Sequence, residues 1–464
     1  MHRAFFQLAL RPSRFKVNGR STSFIRASAL LLGTWGVTSY LSHNIYLDSK
    51  QREPIIRSTD NKLRTQKSLH NIDPHRDIDI NGRLCEHAET LSPPPGTGIS
   101  QYHLVQTASN DPTEDDHAEA ILPVPSGYWS FFGVFDGHSG WETSAWLREN
   151  LVPAVVVPEP SNDDIEQTLK STFLRLDDEI VNLPIAKVLS GSSRRAAVDL
   201  LAPAHAGSCA LLAFYDSHSR FLHVAITGDS RAILGRRVQN AAGETSYEVI
   251  LLSAEQDGKS PAEEARLNSL HPGEQVVKNG RVMGFGMSRA FGDARLKWDV
   301  EVQKKLKASY MGRTPSPNIK TPPYLTAEPE VTSTLVQPGD FLIMASDGLW
   351  ESLTSEEAVG LVGWWLNGRR NGVNDHRLPS ELPVEFDDDW HDHTVRYRQW
   401  GATKRFVNED RNAATHLVRN ALGGADVDLT SALFSMRSPR ARTYMDDITA
   451  VVVFFDDGPS TRDS

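Results

Sequence analysis

The sequence predicts an α+β fold in which antiparallel sheets are covered by helices. Apolar runs of strand length stand in clusters, and short turns join them. Residues 208–215 form one run, Asp216-Ser217-His218-Ser219 turns, 221–227 returns, Gly228-Asp229-Ser230 turns again, and 231–234 continues. Linkers this short join antiparallel neighbours. Helical spacing falls in separate blocks between the clusters, without the strict strand–helix alternation that a doubly wound parallel sheet requires.

The 464 residues carry 59 acidic and 49 basic side chains, a formal net charge of −10. A general nucleic-acid binder carries a basic surface, so this balance argues against that class. Cys85 and Cys209 are the two cysteines, which excludes a disulfide framework or a four-cysteine zinc site. Cys209 lies in an apolar run and reads as a small core residue. No internal repeat stands out, so a solenoid is not supported.

Residues 1–47 contain no Asp or Glu but carry Arg3, Arg11, Arg14, Lys16, Arg20 and Arg26. An acid-poor, Arg-rich, Ser-containing start is the signature of a mitochondrial presequence, so a mitochondrial location is expected, with the submitochondrial compartment left open. Residues 27–47 are uncharged, but Ser39, Ser42, His43 and Asn44 dilute them. A bilayer span needs about 20 apolar residues. The segment therefore reads as an inner-membrane anchor, a sorting signal or part of the leader. Residues 48–97 are polar and end in Ser92-Pro93-Pro94-Pro95-Gly96, the composition of a linker or N-terminal arm with a stiff run at the domain edge. The folded domain is expected over 98–456, followed by a tail over 457–464.

Within that domain, 130–135 reads as a strand with Trp129, Phe131 and Phe135 on one face and Phe132 and Val134 on the other. It stops at Asp136, where Gly137 and Gly140 permit a tight turn. Residues 141–155 have helical spacing through Ala145, Trp146, Leu151 and Val155, and 164–185 through Ile165, Leu169, Phe173, Leu176 and Ile180. A strand at 341–345 ends in Ser346-Asp347-Gly348. Thr354-x-x-Glu357 is a capping box for a helix carrying Ala358, Leu361, Val362 and Trp365. The last strand, 448–455, is introduced by Asp446-Asp447.

Asp136, Asp229, Asp347 and Asp446 thus each stand at or beside a strand end. In an antiparallel sheet the end of one strand and the start of its neighbour share an edge. These acids are therefore able to meet at one rim, and their repulsion there would require cations. Oxygen ligands without His or Cys favour Mg²⁺ or Mn²⁺ over zinc.

The acids belong to motifs that carry a resemblance. Glu114-Asp115, Val134-Phe135-Asp136-Gly137-His138-Ser139-Gly140, Gly228-Asp229-Ser230-Arg231, Ser288-Arg289-Ala290-Phe291-Gly292-Asp293, Ala345-Ser346-Asp347-Gly348-Leu349-Trp350 and Asp446-Asp447-Ile448-Thr449 occur in the order found in the PP2C/PPM metal-dependent protein Ser/Thr phosphatases. Asn110-Asp111-Pro112-Thr113-Glu114-Asp115, residues 321–330 and Asn412-Ala413-Ala414-Thr415-His416-Leu417 are similar to the pyruvate dehydrogenase phosphatase branch of that family.

The resemblance implies a β-sandwich of two antiparallel sheets flanked by helices, with two Mg²⁺ or Mn²⁺ ions at one edge and a weaker third site. By the same resemblance Asp136 bridges both ions, the Gly137 carbonyl binds one, Asp347 and Asp446 complete the other, Glu114 and Asp115 support the first, and Asp229 belongs to the third. His138 matches the general acid for the leaving alkoxide, and a metal-activated water is the nucleophile. Most of the family has an arginine at the position of Asn110, where it grips the substrate phosphate; the pyruvate dehydrogenase phosphatase branch shares the Asn. Phosphate binding is then expected to rest on Asn110, the metals and a further basic residue, Arg289 or Arg281. The implied substrate is a phosphoprotein, the pyruvate dehydrogenase complex at its E1 α subunit. Alternatives are a phosphatase for another mitochondrial protein and a phosphatase-like scaffold without turnover. Gly284-Phe285-Gly286 reads as a flexible turn, and Asp387 to His393 as a solvated loop in a polar insertion over roughly 367–405. That insertion and 237–285 are expected to hold substrate or partner contacts.

Overall fold

A computed structural model describes residues 79–156, 165–239, 243–368, 376–386 and 390–456. The expected presequence, the uncharged segment 27–47, most of the arm and the tail after Asp456 lie outside the described residues. None of the described helices is long and apolar enough to cross a membrane.

Among the described residues, eleven strands build the two main sheets. They are β1 (Glu89–Leu91), β2 (Ile99–Thr107), β3 (Asp116–Val124), β4 (Gly127–Phe135), β5 (Ala210–Asp216), β6 (Phe221–Thr227), β7 (Arg231–Gln239), β8 (Thr245–Leu251), β9 (Glu330–Leu335), β10 (Phe341–Ala345) and β11 (Ile448–Phe455). One sheet has the order β1-β2-β11-β10-β7-β8 and the other β9-β6-β5-β4-β3. Every pairing in both is antiparallel.

The strands at 210–216, 341–345 and 448–455 are buried throughout, and their side chains alternate between two faces, one of which forms the core between the sheets. Phe132 and Val134 of β4, Leu211 and Ala213 of β5, and Val224 and Ile226 of β6 meet Leu104 of β2, Leu234 of β7, Leu342 and Met344 of β10, and Val451 and Val453 of β11 in one core. The alternate residues point outward under helices. On the six-stranded sheet, Phe341, Ile343, Ile448, Val452 and Phe454 pack against helices over Ser355–Leu366 and Ala413–Ala421. On the other sheet, Phe131 stacks on Phe214 at 4.7 Å, and the helix Glu142–Val156 lies against that side of the molecule. The expected α+β sandwich is the observed architecture.

The expected elements are present with small shifts. The strand at 130–135 starts earlier, at Gly127, and the 164–185 helix divides into Ile165–Val181 and Leu183–Leu189. The capping box is formed: Thr354 Oγ1 accepts from the Glu357 amide, and the Glu357 carboxylate accepts from the Thr354 amide.

One expectation is corrected. The folded part begins before Gly98, because Asp79 caps a helix over Ile80–Cys85 and β1 pairs with β2 through Glu89 and Leu104. The proline run is thus a connection between two strands of one sheet rather than a domain edge. The described part of the insertion is mostly exposed, as its polar composition implies, but it is anchored: Leu382 and Val384 are buried in the core over the six-stranded sheet, as is Phe406 just after it, and Tyr397 is buried too. Lys404 is buried there because Glu357 at 2.6 Å and Asp392 at 3.0 Å neutralise it. Asp387 to Asp389 lie outside the described residues, and His391 and His393 are exposed.

Phe341 is fully buried, with Tyr247 5.3 Å and Phe454 6.2 Å from its ring centroid. Phe341→Ala is expected to cost about 3–5 kcal/mol in chemical denaturation, from lost transfer energy plus the cavity left behind. A loss below about 1 kcal/mol would contradict the packing described.

Candidate metal centre

Strand direction brings the acids together. β4, β6 and β10 end, and β3, β7 and β11 begin, at one edge of the sandwich. Asp116 of β3 pairs with Phe135 of β4, Ala210 with Thr227, and Ala345 of β10 with both Ala450 and Arg231. Residues just outside these pairs are Glu114 and Asp115, Asp136, Asp229, Asp347 and Asp446. The turn bearing Asp229 crosses between the sheets, and Gly228 makes it with a φ of +111° at a place where a Cβ would lie 2.3 Å from Cys209 Sγ.

The contacts at the edge are close. The Asp347 amide donates to Asp136 Oδ2 at 3.2 Å. A carboxylate oxygen of Asp136, one of Asp229 and the Cys209 sulfur lie within 4.8 Å of one another. The Cys209 thiol donates to Asp229 Oδ1 at 3.1 Å, and its amide donates to the Asp136 carbonyl at 2.8 Å. Asp115 is buried, and its Oδ2 accepts from Ser346 and Thr449 hydroxyls, both at 2.8 Å. Gly137 has no space for a side chain, since a Cβ there would stand 2.0 Å from the Glu114 carbonyl oxygen.

Burial and repulsion both act on this cluster. Asp136 is pushed well above the usual carboxylate range by desolvation, then by the charges of Asp347, Asp115, Asp229 and Asp446. Asp347 is raised in the same way by burial and by Asp229, Asp446 and Glu351. Asp115 is raised by burial and by Asp447, and the Ser346 and Thr449 hydroxyls offset part of this. An oxygen-rich set of buried acids that resist ionisation together fits hard divalent cations, whose charge would favour the ionised forms.

Asp447 organises the approach to Glu114. Its Oδ1 accepts from the Ser109 amide at 2.6 Å and the Asn110 amide at 2.9 Å, and its Oδ2 accepts from the Glu114 amide at 2.7 Å and the Thr113 hydroxyl at 3.1 Å. Asn110 is thereby placed beside the acids, its Nδ2 3.4 Å from Glu114 Oε2. Arg442 pairs with that same Glu114 oxygen.

His138 follows on the same loop. Its Nε2 is 2.6 Å from Asp293 Oδ2, while Nδ1 is buried without a hydrogen-bond partner among the described residues. Burial alone would lower its pKa, but Asp293, through charge and hydrogen bond, raises it overall. Gly207 makes room for this pair, because a Cβ there would lie 2.2 Å from His138 Nε2.

The structure corrects the place of Arg289. It is buried and bound to Glu263 at 2.6 Å, to Glu330 at 3.0 Å and to the Glu328 carbonyl at 3.0 Å. Its donors serve an internal network, so it is not the phosphate-binding cation. Arg281 is exposed and donates to the Gly284 carbonyl at 3.2 Å. The residues that sequence reasoning missed are Asp293, Asp447 and Arg442. The first two stand inside quoted motifs; nothing in its local sequence marks Arg442.

The Arg289 network generates a pH test. Burial would raise the Glu263 pKa, but hydrogen bonds from Arg289, Arg266 and Ser288 outweigh it and hold Glu263 at about 2, against its ordinary 4.5. A depressed folded value contributes stability that is present above the unfolded pKa and lost as pH falls through the folded one. Arg289→Ala is expected to cost roughly 2–4 kcal/mol near neutrality. The difference from the wild type should narrow as pH falls from about 4.5 toward 2, and the metal activation curve should not move. A stability difference independent of pH over that window would refute the assignment.

Comparison with known proteins gives these observations a family. Residues 109–380 match the family model described as protein phosphatase 2C. A protein phosphatase 2C homolog of Schizosaccharomyces pombe is 39% identical over 471 residues, covering 98% of this chain and 99% of the relative. The mitochondrial pyruvate dehydrogenase (acetyl-transferring) phosphatase 1 of Saccharomyces cerevisiae is 36% identical over 423 residues, covering 82% of this chain and 73% of the relative. Its Homo sapiens counterpart is 36% identical over 321 residues, covering 64% of this chain and 56% of the relative. The family model matches more than half of the chain, and the S. pombe relative aligns along nearly all of it: the chain belongs to the protein phosphatase 2C family of metal-dependent protein serine/threonine phosphatases.

Proposed function

We propose that the acidic edge of the sandwich hydrolyses phosphoserine and phosphothreonine with Mg²⁺ or Mn²⁺, and that its substrate is the E1 α subunit of the pyruvate dehydrogenase complex in mitochondria. The observation that carries the chemistry is the meeting of Asp136, Asp229 and Asp347, with Asp115 and Asp446 close enough to raise the Asp136 pKa. Similarity to pyruvate dehydrogenase phosphatases over most of the chain supports the substrate, and the acid-poor, Arg-rich residues 1–47 support the location.

Asp136, the Gly137 carbonyl, Asp347, Asp446, Glu114 and Asp115 are the residues that would hold two cations, with Asp229 at a weaker third site. Bound there, the cations supply an activated water and offset charge on the phosphoryl oxygens. The rigid strand ends keep the carboxylates from relaxing apart, so their positions are fixed before substrate arrives. His138 is held by Asp293 at Nε2, which leaves Nδ1 to carry the proton that the leaving serine or threonine oxygen takes. Although burial opposes it, the charge and hydrogen bond of Asp293 raise the His138 pKa and so favour the protonated ring. Asn110 is fixed by Asp447, and its side-chain amide, 3.3 Å from Asp447 Oδ2 and 3.4 Å from Glu114 Oε2 in long bonds, would turn an N–H to the phosphate. No covalent phosphoenzyme is required, and buried Cys209 bonds Asp229 rather than serving as a nucleophile.

Purified protein is expected to hydrolyse a phosphoserine peptide with Mn²⁺ and to lose this activity in EDTA. Asp347→Asn should lower turnover by at least about a hundredfold and weaken Mn²⁺ binding in calorimetry; activity within threefold of wild type would sink the proposed centre. The substrate is tested separately by comparing phosphoproteins of mitochondria with and without this protein. Unchanged phosphorylation of the E1 α subunit would defeat that assignment and leave the chemistry standing.

A further inference from the structure

A phosphate ester entering this centre meets a rim of acids, and a cation on the chain itself would counter their repulsion. Among the described residues, the arginine or lysine that bonds one of those acids is Arg442. Its Nη1 donates to Glu114 Oε2, the oxygen that also lies 3.4 Å from Asn110 Nδ2. The guanidinium therefore sits at the mouth of the site, and its side chain remains 41% exposed. A guanidinium carries five N–H donors in a planar fork, so one arm can rest on Glu114 while others bind a phosphate.

Arg442 is also held in place from behind. It lies on a single 3₁₀ turn, Ala441–Thr443, whose carbonyls are capped by the short helix Arg396–Trp400 of the insertion. Arg396 Nη1 and Gln399 Nε2 donate to the Thr443 carbonyl at 3.3 and 3.2 Å, and Trp400 Nε1 donates to the Tyr444 carbonyl at 3.0 Å. Arg396 is itself fixed by Glu351, its Nε 2.7 Å from the carboxylate. The carbonyls of the two residues that follow Arg442 are thus held by three side chains of the insertion helix. Bracing of this kind lowers the ordering cost of binding a ligand.

We infer that Arg442, positioned by the insertion helix, is the substrate-phosphate clamp of this enzyme, working beside Asn110. The inference rests on the reading of the acidic edge as the hydrolytic centre and adds to it a substrate-contacting residue. The bidentate preference of guanidinium for phosphate oxygens makes the phosphoryl group, rather than the peptide, the part it recognises.

The test uses the full chain with Arg442→Ala and Arg442→Lys, a phosphoserine peptide as substrate, and inorganic phosphate as inhibitor and calorimetric ligand in excess Mg²⁺. Arg442→Ala is expected to raise the peptide KM and the phosphate dissociation constant by about tenfold or more. It should lower kcat by less than about threefold and leave the Mn²⁺ activation midpoint unchanged. Arg442→Lys should recover part of the phosphate affinity, because it restores charge without the planar fork. Trp400→Phe, which removes one brace and keeps the ring, should shift KM in the same direction by less. An unchanged phosphate constant in Arg442→Ala overturns the inference. So does a shifted Mn²⁺ midpoint with normal phosphate binding, which would assign Arg442 only to orienting Glu114. If wild-type protein fails to turn over any phosphopeptide, the hydrolytic reading fails, while phosphate calorimetry on the same variants still decides Arg442.

Discussion

Repulsion between buried carboxylates is the constraint on which the rest of this structure depends. Asp136, Asp347 and Asp115 are all raised by burial first and by one another or their acidic neighbours second. Left to relax, such groups would separate or draw in water. They stay together because each is fastened to a strand end whose outward and inward residues are locked in a core. Leu211 and Val134 pair across β5 and β4, and Ala345 is paired on both sides, so the strand ends have little room to move apart. The sandwich stabilises an arrangement that its own electrostatics oppose, which is the condition for a site that gains from binding cations.

The smaller residues around the site follow from the same demand for closeness. Gly137, Gly207, Gly228 and Gly348 each stand where a Cβ would fall within 2.3 Å of another atom of the site region. Hydroxyls from Ser346 and Thr449 meet Asp115, and the amides of 109, 110 and 114 meet Asp447. Asp136 and Asp347, at the centre, have no cationic or hydroxyl partner among the described residues, while Asp447 beside them is fully engaged. That difference separates acids free to hold a cation from one acting as a structural anchor.

Much of this was legible in the sequence because the relevant signals are local. The strands at 341–345 and 448–455 are continuous apolar runs, and their bounds are those observed. The acid at each strand end could be seen without knowing the pairing. By contrast β2 and β3 were not legible, since Gln106, His103 and Pro123 break their apolar pattern. Their polar groups are satisfied by distant partners: Gln106 Nε2 donates to the Asp115 carbonyl at 3.0 Å, and His103 Nδ1 accepts from the Ala413 amide at 2.8 Å. Arg289 was misplaced for a similar reason, because Glu263, which claims it, lies 26 residues earlier in the chain. Arg442 gave no signal because the contacts that orient it come from the insertion, through side chains that carry no motif.

The helix Arg396–Trp400 has a wider consequence. At one end it is tied to Glu351, directly after the turn of helix that begins at Asp347; at the other it is tied to the backbone just before Asp446. Two acids that the sheet brings together from separate strands are therefore also strapped from outside by a third piece of chain. That strap belongs to a segment whose length and composition are free of the sandwich's register. Changes in it can stiffen or loosen the rim without altering a single strand pairing, which gives the molecule a place to adjust the hydrolytic centre independently of the scaffold that creates it.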